Sequence, residues 1–204
     1  LDPSLLTGVL EARRWRRVGQ VSSRRFRLRS LGRVAVLLEA DVHRQGRRWG
    51  AWGIWVGLAL AQYAVAVTVP AVAGLLHLVL AYAAANRLTA GLRTVARAPG
   101  LRRALGGGET QLRLVHLVVP ALGTALWWLI TVPAGDPLTP AASFVLLAGI
   151  VAAAYRAATR PPMSYGGAVV ESPLGLIPVD LVVQLARGPD LLGAVIVLRA
   201  LLVR

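Results

Sequence analysis

The sequence predicts an all-α, polytopic transmembrane protein: two helical hairpins making four spans, an amphipathic in-plane helix ahead of them, and a broken apolar segment behind. Three observations predict this. The chain of 204 residues is 56% hydrophobic, with a mean hydropathy of +0.61. Its apolar runs between Gly50 and Tyr155 exceed the roughly 5–15 residues of a soluble core segment. With about 20 residues needed per crossing, about four to six crossings are the ceiling. Finally, all 23 basic residues are arginine; 12 lie in residues 13–48 and 6 in residues 87–113, whereas the turns near Pro70 and from Thr131 to Pro140 carry none. That asymmetry is the positive-inside pattern. It predicts a multi-pass protein of the cytoplasmic (inner) membrane with its N-terminus in the cytoplasm. Arginine without lysine, with abundant Ala, Val, Leu and Gly, suggests a GC-rich genome.

Three regions follow. Residues 1–49 are a basic, amphipathic cytoplasmic segment, residues 50–158 hold the hairpins with a cytoplasmic loop over 86–113, and residues 159–204 are a Pro/Gly-rich loop with a broken or truncated membrane segment. Asp2-Pro3 reads as an N-cap with proline at the first helical position. Leu5, Leu6, Val9 and Leu10 make a short stripe that Arg13, Arg14, Arg16 and Arg17 end. From Ser30 a second amphipathic stretch places Leu31, Val34, Leu38 and Val42 on one helical face and Arg33, Arg44, Arg47 and Arg48 elsewhere. Such a helix before a span is expected in the interface plane, its arginines reaching lipid phosphates. Trp49, Trp52 and Trp55 follow and are expected in the headgroup belt.

The first span is expected from about Ala51 to Val69 and the second from about Ala71 to Ala85. As one helix they would be too long for a single crossing, so Pro70 belongs in a tight outer turn. Within the basic loop, Leu88, Leu92, Val95 and Ala96 outline a short amphipathic helix, and Gly106-Gly107-Gly108 reads as a flexible linker. The third span runs from about Leu114 to Val132 and the fourth from about Ala141 to Tyr155. Beyond Arg160, Val179–Ala186 and Leu191–Val203 are each too short to cross alone.

Within the spans, Gly53, Gly57 and Ala61 recur at four-residue spacing, as do Gly149, Ala153 and Ala157. Such stripes admit a second helix at close range. Gln62 and His77 are the polar residues deepest in the apolar runs. At 1.5 Å per residue both lie roughly 10–12 Å from the Pro70 tip, at a depth where they can bond across the hairpin. His116, at the start of the third span, is expected at the interface.

Composition excludes several function classes. Without cysteine there is no disulfide, thiolate metal site or cysteine nucleophile. The nine acids, Asp2, Glu11, Glu39, Asp41, Glu109, Asp136, Glu171, Asp180 and Asp190, all fall outside the four expected spans. No HExxH, GxSxG or phosphate-loop motif occurs. No catalytic residue, metal ligand or cofactor is therefore assigned, and no enzymatic activity is expected of the chain itself. Glu39 and His43 share a helical face, but beside so many arginines they read as solvated surface. The net charge of +14 flanks apolar segments instead of interleaving with aromatic residues, which points to anionic lipid and not nucleic acid.

The order of parts carries a resemblance. A basic amphipathic helix (LGRVAVLLEADVHRQGRR) leads into a tight hairpin, and a basic loop with a short helix (NRLTAGLRTVARAPGLRRALGGGE) leads into another. Over about residues 30–155 this layout resembles the permease subunit of an actinobacterial ABC-2-type exporter. The resemblance implies an elbow helix on the inner leaflet and a coupling helix over residues 87–97. Arg87, Leu92, Arg93 and Arg97 would then be the candidate docking residues for an ATP-binding-cassette ATPase subunit. It further implies a second permease half, as a homo- or hetero-oligomer, and a hydrophobic or lipid-like cargo moving between the halves. Six spans per half are expected in that family, two more than this chain clearly shows. The alternative reading is a non-transporting structural or assembly subunit of a larger membrane complex.

Overall fold

In the computed structural model, residues 27–106, 108–135, 137–160, 169–172, 175–179 and 186–202 are described. The expected stripe at Leu5–Leu10, most of the run 179–186 and Asp136 lie outside them. The described chain is helical throughout, apart from one short hairpin. A 3-10 turn, Arg27–Leu31, leads into α1 (Arg33–Gly46), α2 (Trp49–Thr68), α3 (Pro70–Leu88), α4 (Ala90–Arg97), α5 (Pro99–Leu105), α6 (Glu109–Thr131) and a second 3-10 turn, Val132–Ala134. After these come α7 (Pro140–Ala158), strands β1 (Val169–Ser172) and β2 (Gly175–Pro178), and α8 (Pro189–Leu202).

Four of these helices, α2, α3, α6 with its 3-10 extension, and α7, are long and apolar enough to cross a membrane. The protein is thus a multi-pass helical membrane protein. The arginine-rich connections α1 and α4–α5 share one end of the bundle, the basic end; Val69 and residues 132–135 and 137–139 make the other, neutral end. Val69 alone separates α2 from α3, and Pro70 takes the first helical position of α3, where its missing N–H costs nothing. At α7 the same device recurs: Pro140 opens the helix and the Thr139 hydroxyl accepts from Ala142 N.

α3 is the central helix. Its buried residues, Gly74, His77, Leu78, Ala81, Ala84, Ala85 and Leu88, follow the helical period, and most are small. Without long side chains on that face, α2, α6 and α7 all come close to it, and dispersion replaces a hydrophobic driving force that lipid tails cannot supply. The core around it gathers Trp55, Leu78, Trp127, Leu146 and Ile150. Gly123 in α6 sits against Leu88 so closely that a Cβ there would overlap the Leu88 side chain.

Several boundaries differ from those the sequence suggests. α6 begins at Glu109, not Leu114, so one acid does lie in the first turn of a span-length helix. There it faces the positive end of the helix dipole and pairs with Arg102 and Arg113. The stretch 169–178 is not merely a loop. It holds an antiparallel hairpin with Val170 opposite Ile177 and Glu171 opposite Leu176. The last apolar run forms α8 over its 14 described residues, and this helix packs along α7. Gly188 makes the entry possible: its φ of +115° is a left-handed value, and a Cβ there would sit 2.7 Å from that of Ala157, so only glycine fits. Asp190 then accepts from Gly188 N and Leu191 N and pairs with Arg156 at 2.8 Å. The Gly188 hydrogen bond foremost, then that of Leu191 and the Arg156 charge, hold the Asp190 carboxyl below the ordinary value against its burial.

Candidate functional site

Polar residues converge at two places, one at each end of the bundle. At the basic end α1 docks on the spans by its polar face. Gln45 is buried and donates to the carbonyl of Leu88 at the end of α3. Arg44 donates to Thr94 Oγ1 of α4 at 3.0 Å, and Trp52 Nε1 of α2 donates to Gln45 O at 2.9 Å. Asp41 is only 2% exposed. A Cβ on Gly91 would overlap its carboxylate and lie 2.9 Å from its Cγ. Among the described residues neither Asp41 oxygen has a hydrogen-bond partner. Burial pushes this carboxyl above the ordinary aspartate value, and the nearby charges of His116 and Arg44 partly oppose the shift.

The apolar stripe of α1 points the other way. Leu31 is 71% exposed, Val42 56% and Trp49 82%. In a water-soluble protein this inversion, polar inside and apolar outside, would be costly; at a bilayer interface the outward face meets acyl chains. Of the three tryptophans expected in a headgroup belt, only Trp49 is strongly exposed. Trp52 packs edge-on to Trp55 at 5.8 Å, and Trp55 is a core residue whose carbonyl accepts from Trp127 Nε1 at 3.3 Å. His116, expected at the interface, is covered by the protein. It is buried, with Nδ1 2.9 Å from Leu112 O. Glu39 does more than line a surface: it accepts from the backbone N–H groups of Arg27 and Leu28, both at 2.9 Å, and lies 3.5 Å from His43. The Arg27 and Leu28 bonds hold its carboxyl below the ordinary value. Glu39 and His43 thus fasten the 3-10 turn to α1.

The four residues expected to dock a partner part company. Leu92 is fully buried, at 0% exposure, with Val95 and Gly91 on the inner face of α4, so it packs against this chain's own helices. Arg93 is half-buried and donates to Asn86 O and Oδ1, both at 3.2 Å. Arg87 and Arg97 are exposed.

At the neutral end Gln62 and His77 each have their own partners. Both Gln62 Nε2 hydrogen bonds go to carbonyls, Ala73 O at 3.2 Å and Ala134 O at 2.6 Å. His77 Nε2 lies 3.0 Å from Thr131 Oγ1, and its ring stacks on Trp128 at 4.4 Å and leans on Trp127 at 5.5 Å. Thr131 and Trp128, both from α6, were not singled out by sequence reasoning; a threonine three residues past a Trp-Trp pair carries no distinctive signal. The Ala73 bond closes the first hairpin, while the Ala134 and Thr131 contacts tie it to α6 and the 3-10 turn that follows.

The small-residue stripes also differ. Gly149 faces α8, where a Cβ would come 2.6 Å from Val195 Cγ2, and Ala153 is fully buried beside it. Gly53 and Gly57 face outward with nothing within 4 Å of a Cβ position, and Ala61 is only partly covered. No group of three or more His, Asp or Glu residues that could hold a metal ion occurs among the described residues.

A family model matches residues 1–168, the segment that contains both ends of this arrangement and all four spans. The chain belongs to the DUF6297 family. That family is described as one of unknown function. No curated protein and no solved structure matches the chain. In this DUF6297 member the matched segment stops just before β1, so the hairpin and α8 lie beyond it.

Proposed function

We propose that the chain is an integral membrane permease subunit of an ATP-driven exporter, with its basic end in the cytoplasm and no nucleotide site of its own. The observation that carries this reading is the position of α4. It is a short helix outside the spans that packs on α6 and α7, touches α1 through Thr94 and Gly91, and still presents Arg97 outward, beside the exposed Arg87 in the last turn of α3. A push on those two arginines from a cytoplasmic ATPase would reach both hairpins and the in-plane helix at once. Leu92 serves as the rigid inner contact of that relay, not as the docking surface. The exposed stripe of α1 supports an elbow lying on the inner leaflet. A passage between two such subunits, lined by small and apolar side chains, suits a hydrophobic or lipid-like cargo.

A non-transporting assembly subunit is the second reading. It is favoured by the outward stripe at Gly53 and Gly57 on α2, the least buried of the four spans, which suits lateral contact with another membrane protein. The two are separated by a mild-detergent pull-down of the full-length protein, with R87E/R97E as the comparison. Co-purification of an ATPase that the double variant loses supports the exporter. Recovery with other integral membrane proteins alone sinks it and leaves the assembly subunit.

A further inference from the structure

We infer that Asp41 is a proton-binding latch between the in-plane helix and the bundle: with a proton on its carboxyl α1 stays docked on α4 and α6, and without one α1 releases. The inference concerns α1 alone and holds whichever functional reading is right.

A carboxylate removed from water is tolerated when donors or cations replace the lost hydration. Asp41 has neither in direct contact. Its oxygens have no hydrogen-bond partner among the described residues, and the wall in front of them is the Cα of Gly91, which has no side chain to offer. Arg44, the nearest cation on the same helix, is engaged by Thr94. The charged groups on the surrounding elements are few. α2 has no charged residue along its length, with Arg47 and Arg48 just before it, and α3 carries Arg87 in its last turn. α4 carries Arg93, tied to Asn86, and exposed Arg97. α6 carries Glu109 and Arg113, paired with each other, and His116. Arg27, on the 3-10 turn, approaches α1 at Glu39 through its backbone. Of all these, His116 and Arg44 are the two whose charge is felt at Asp41. They relieve the burial cost and do not cancel it. A neutral carboxyl, by contrast, fits the site without penalty beyond its own lost hydration.

The sign follows. Docking raises the affinity of Asp41 for a proton, so docking is strongest at low pH and weakens as pH rises. The window opens near the ordinary value of 3.8 and closes at the raised value of the docked state. Within it each pH unit shifts the equilibrium toward release by about tenfold. The remaining contacts of α1, among them Gln45 with Leu88, Arg44 with Thr94, Trp52 with Gln45 and Arg33 with Gly106, set the level from which the shift is read.

The chain has no cysteine, so a spin-label pair can be placed cleanly. V34C lies on the outward face of α1, two turns before Asp41. G100C lies on α5, where a side chain meets nothing within 4 Å. The full-length protein is reconstituted in vesicles of phosphatidylcholine and phosphatidylglycerol, and the interlabel distance is followed from about pH 4 to about pH 8, the span that contains carboxyl titration. The expected result is a short, narrow distribution at low pH that gives way to a longer, broader one as pH rises. D41N, which keeps the shape without the charge, holds the short distribution throughout. H116Q removes a charge that steadies the ionised carboxylate in the docked state, so release comes at lower pH. A wild-type distribution that does not change with pH overturns the latch. So does a D41N protein that tracks the wild type, or an H116Q transition that stays in place or rises.

Discussion

Gln62 shows what a single amide contributes inside a bilayer and why its role was only half legible. Its depth could be read from the sequence, because 1.5 Å per residue from Pro70 puts it level with His77. Its partners could not. Helical rise gives height along an axis but says nothing about which neighbouring helix stands beside it, and the acceptor at 2.6 Å turned out to be Ala134, beyond the third span. The same limit hid the meeting of Asp41 with Gly91 and the burial of His116. Replacing Gln62 by leucine keeps the volume and removes the bond to Ala134 O, leaving that carbonyl without its donor. Intramembrane hydrogen bonds are worth about 0.6–2 kcal/mol. The buried Gln62 Oε1, which has no partner among the described residues, offsets part of that loss by disappearing. Q62L should therefore destabilise the protein by about 1 kcal/mol, a drop of roughly 2–4 °C in Tm for a chain of this size. Thermal unfolding in detergent micelles reads it; an unchanged Tm would show that the two bonds do not anchor α2 to Ala73 of α3 and to Ala134 after α6.

At the scale of the element, periodicity located α1, the four spans and α4, since each has a continuous apolar face. It did not reveal how α1 is turned, because the docking face is the polar one and its apolar stripe belongs outside the bundle. The hairpin and α8 were not legible, since proline and glycine break the pattern between 160 and 190 and only tertiary contact with α7 decides the outcome. Small-residue stripes show the limit most clearly. Gly53 and Gly149 sit in the same kind of sequence repeat, yet one faces away from the chain and the other faces Val195. Their alanine variants should differ in sign. G53A gains helix propensity of about 0.5–1 kcal/mol at no steric cost. G149A gains the same propensity but forces Val195 aside, an overpacking of about 1–3 kcal/mol, and should come out destabilising while loosening α8. Limited proteolysis near Gly188, measured beside the melting temperature, tests both. If G149A is as stable as G53A and resists protease equally, α8 does not pack on α7 as described.

For the whole molecule, one field orders all the parts. Every arginine from 27 to 160 that the structure describes lies at the basic end, on α1, α3–α5, the first turns of α6 or the end of α7, and none lies at Val69 or along 132–135 and 137–139. Folding thus collects into one surface the charges that the sequence spreads over three segments, and it does so with four spans, which return the chain to the side where it began. Arginine at a span centre costs at least about 2.5–3.5 kcal/mol on insertion scales, so a segment with several of them is retained on the side of synthesis while the uncharged turns cross. The basic end should therefore face the cytoplasm. Single cysteines in this cysteine-free chain make the test direct. At Val69 and Leu138 a membrane-impermeant maleimide should react in intact cells; at Gly46 and Gly100 it should react only after permeabilisation. The opposite pattern would reverse the orientation, put Arg87 and Arg97 out of reach of any cytoplasmic ATPase, and end the exporter reading while leaving the fold and the Asp41 latch intact. Labelling of both ends from outside would instead mean that the chain inserts in two orientations, and that 18 arginines in two clusters do not suffice to choose between them.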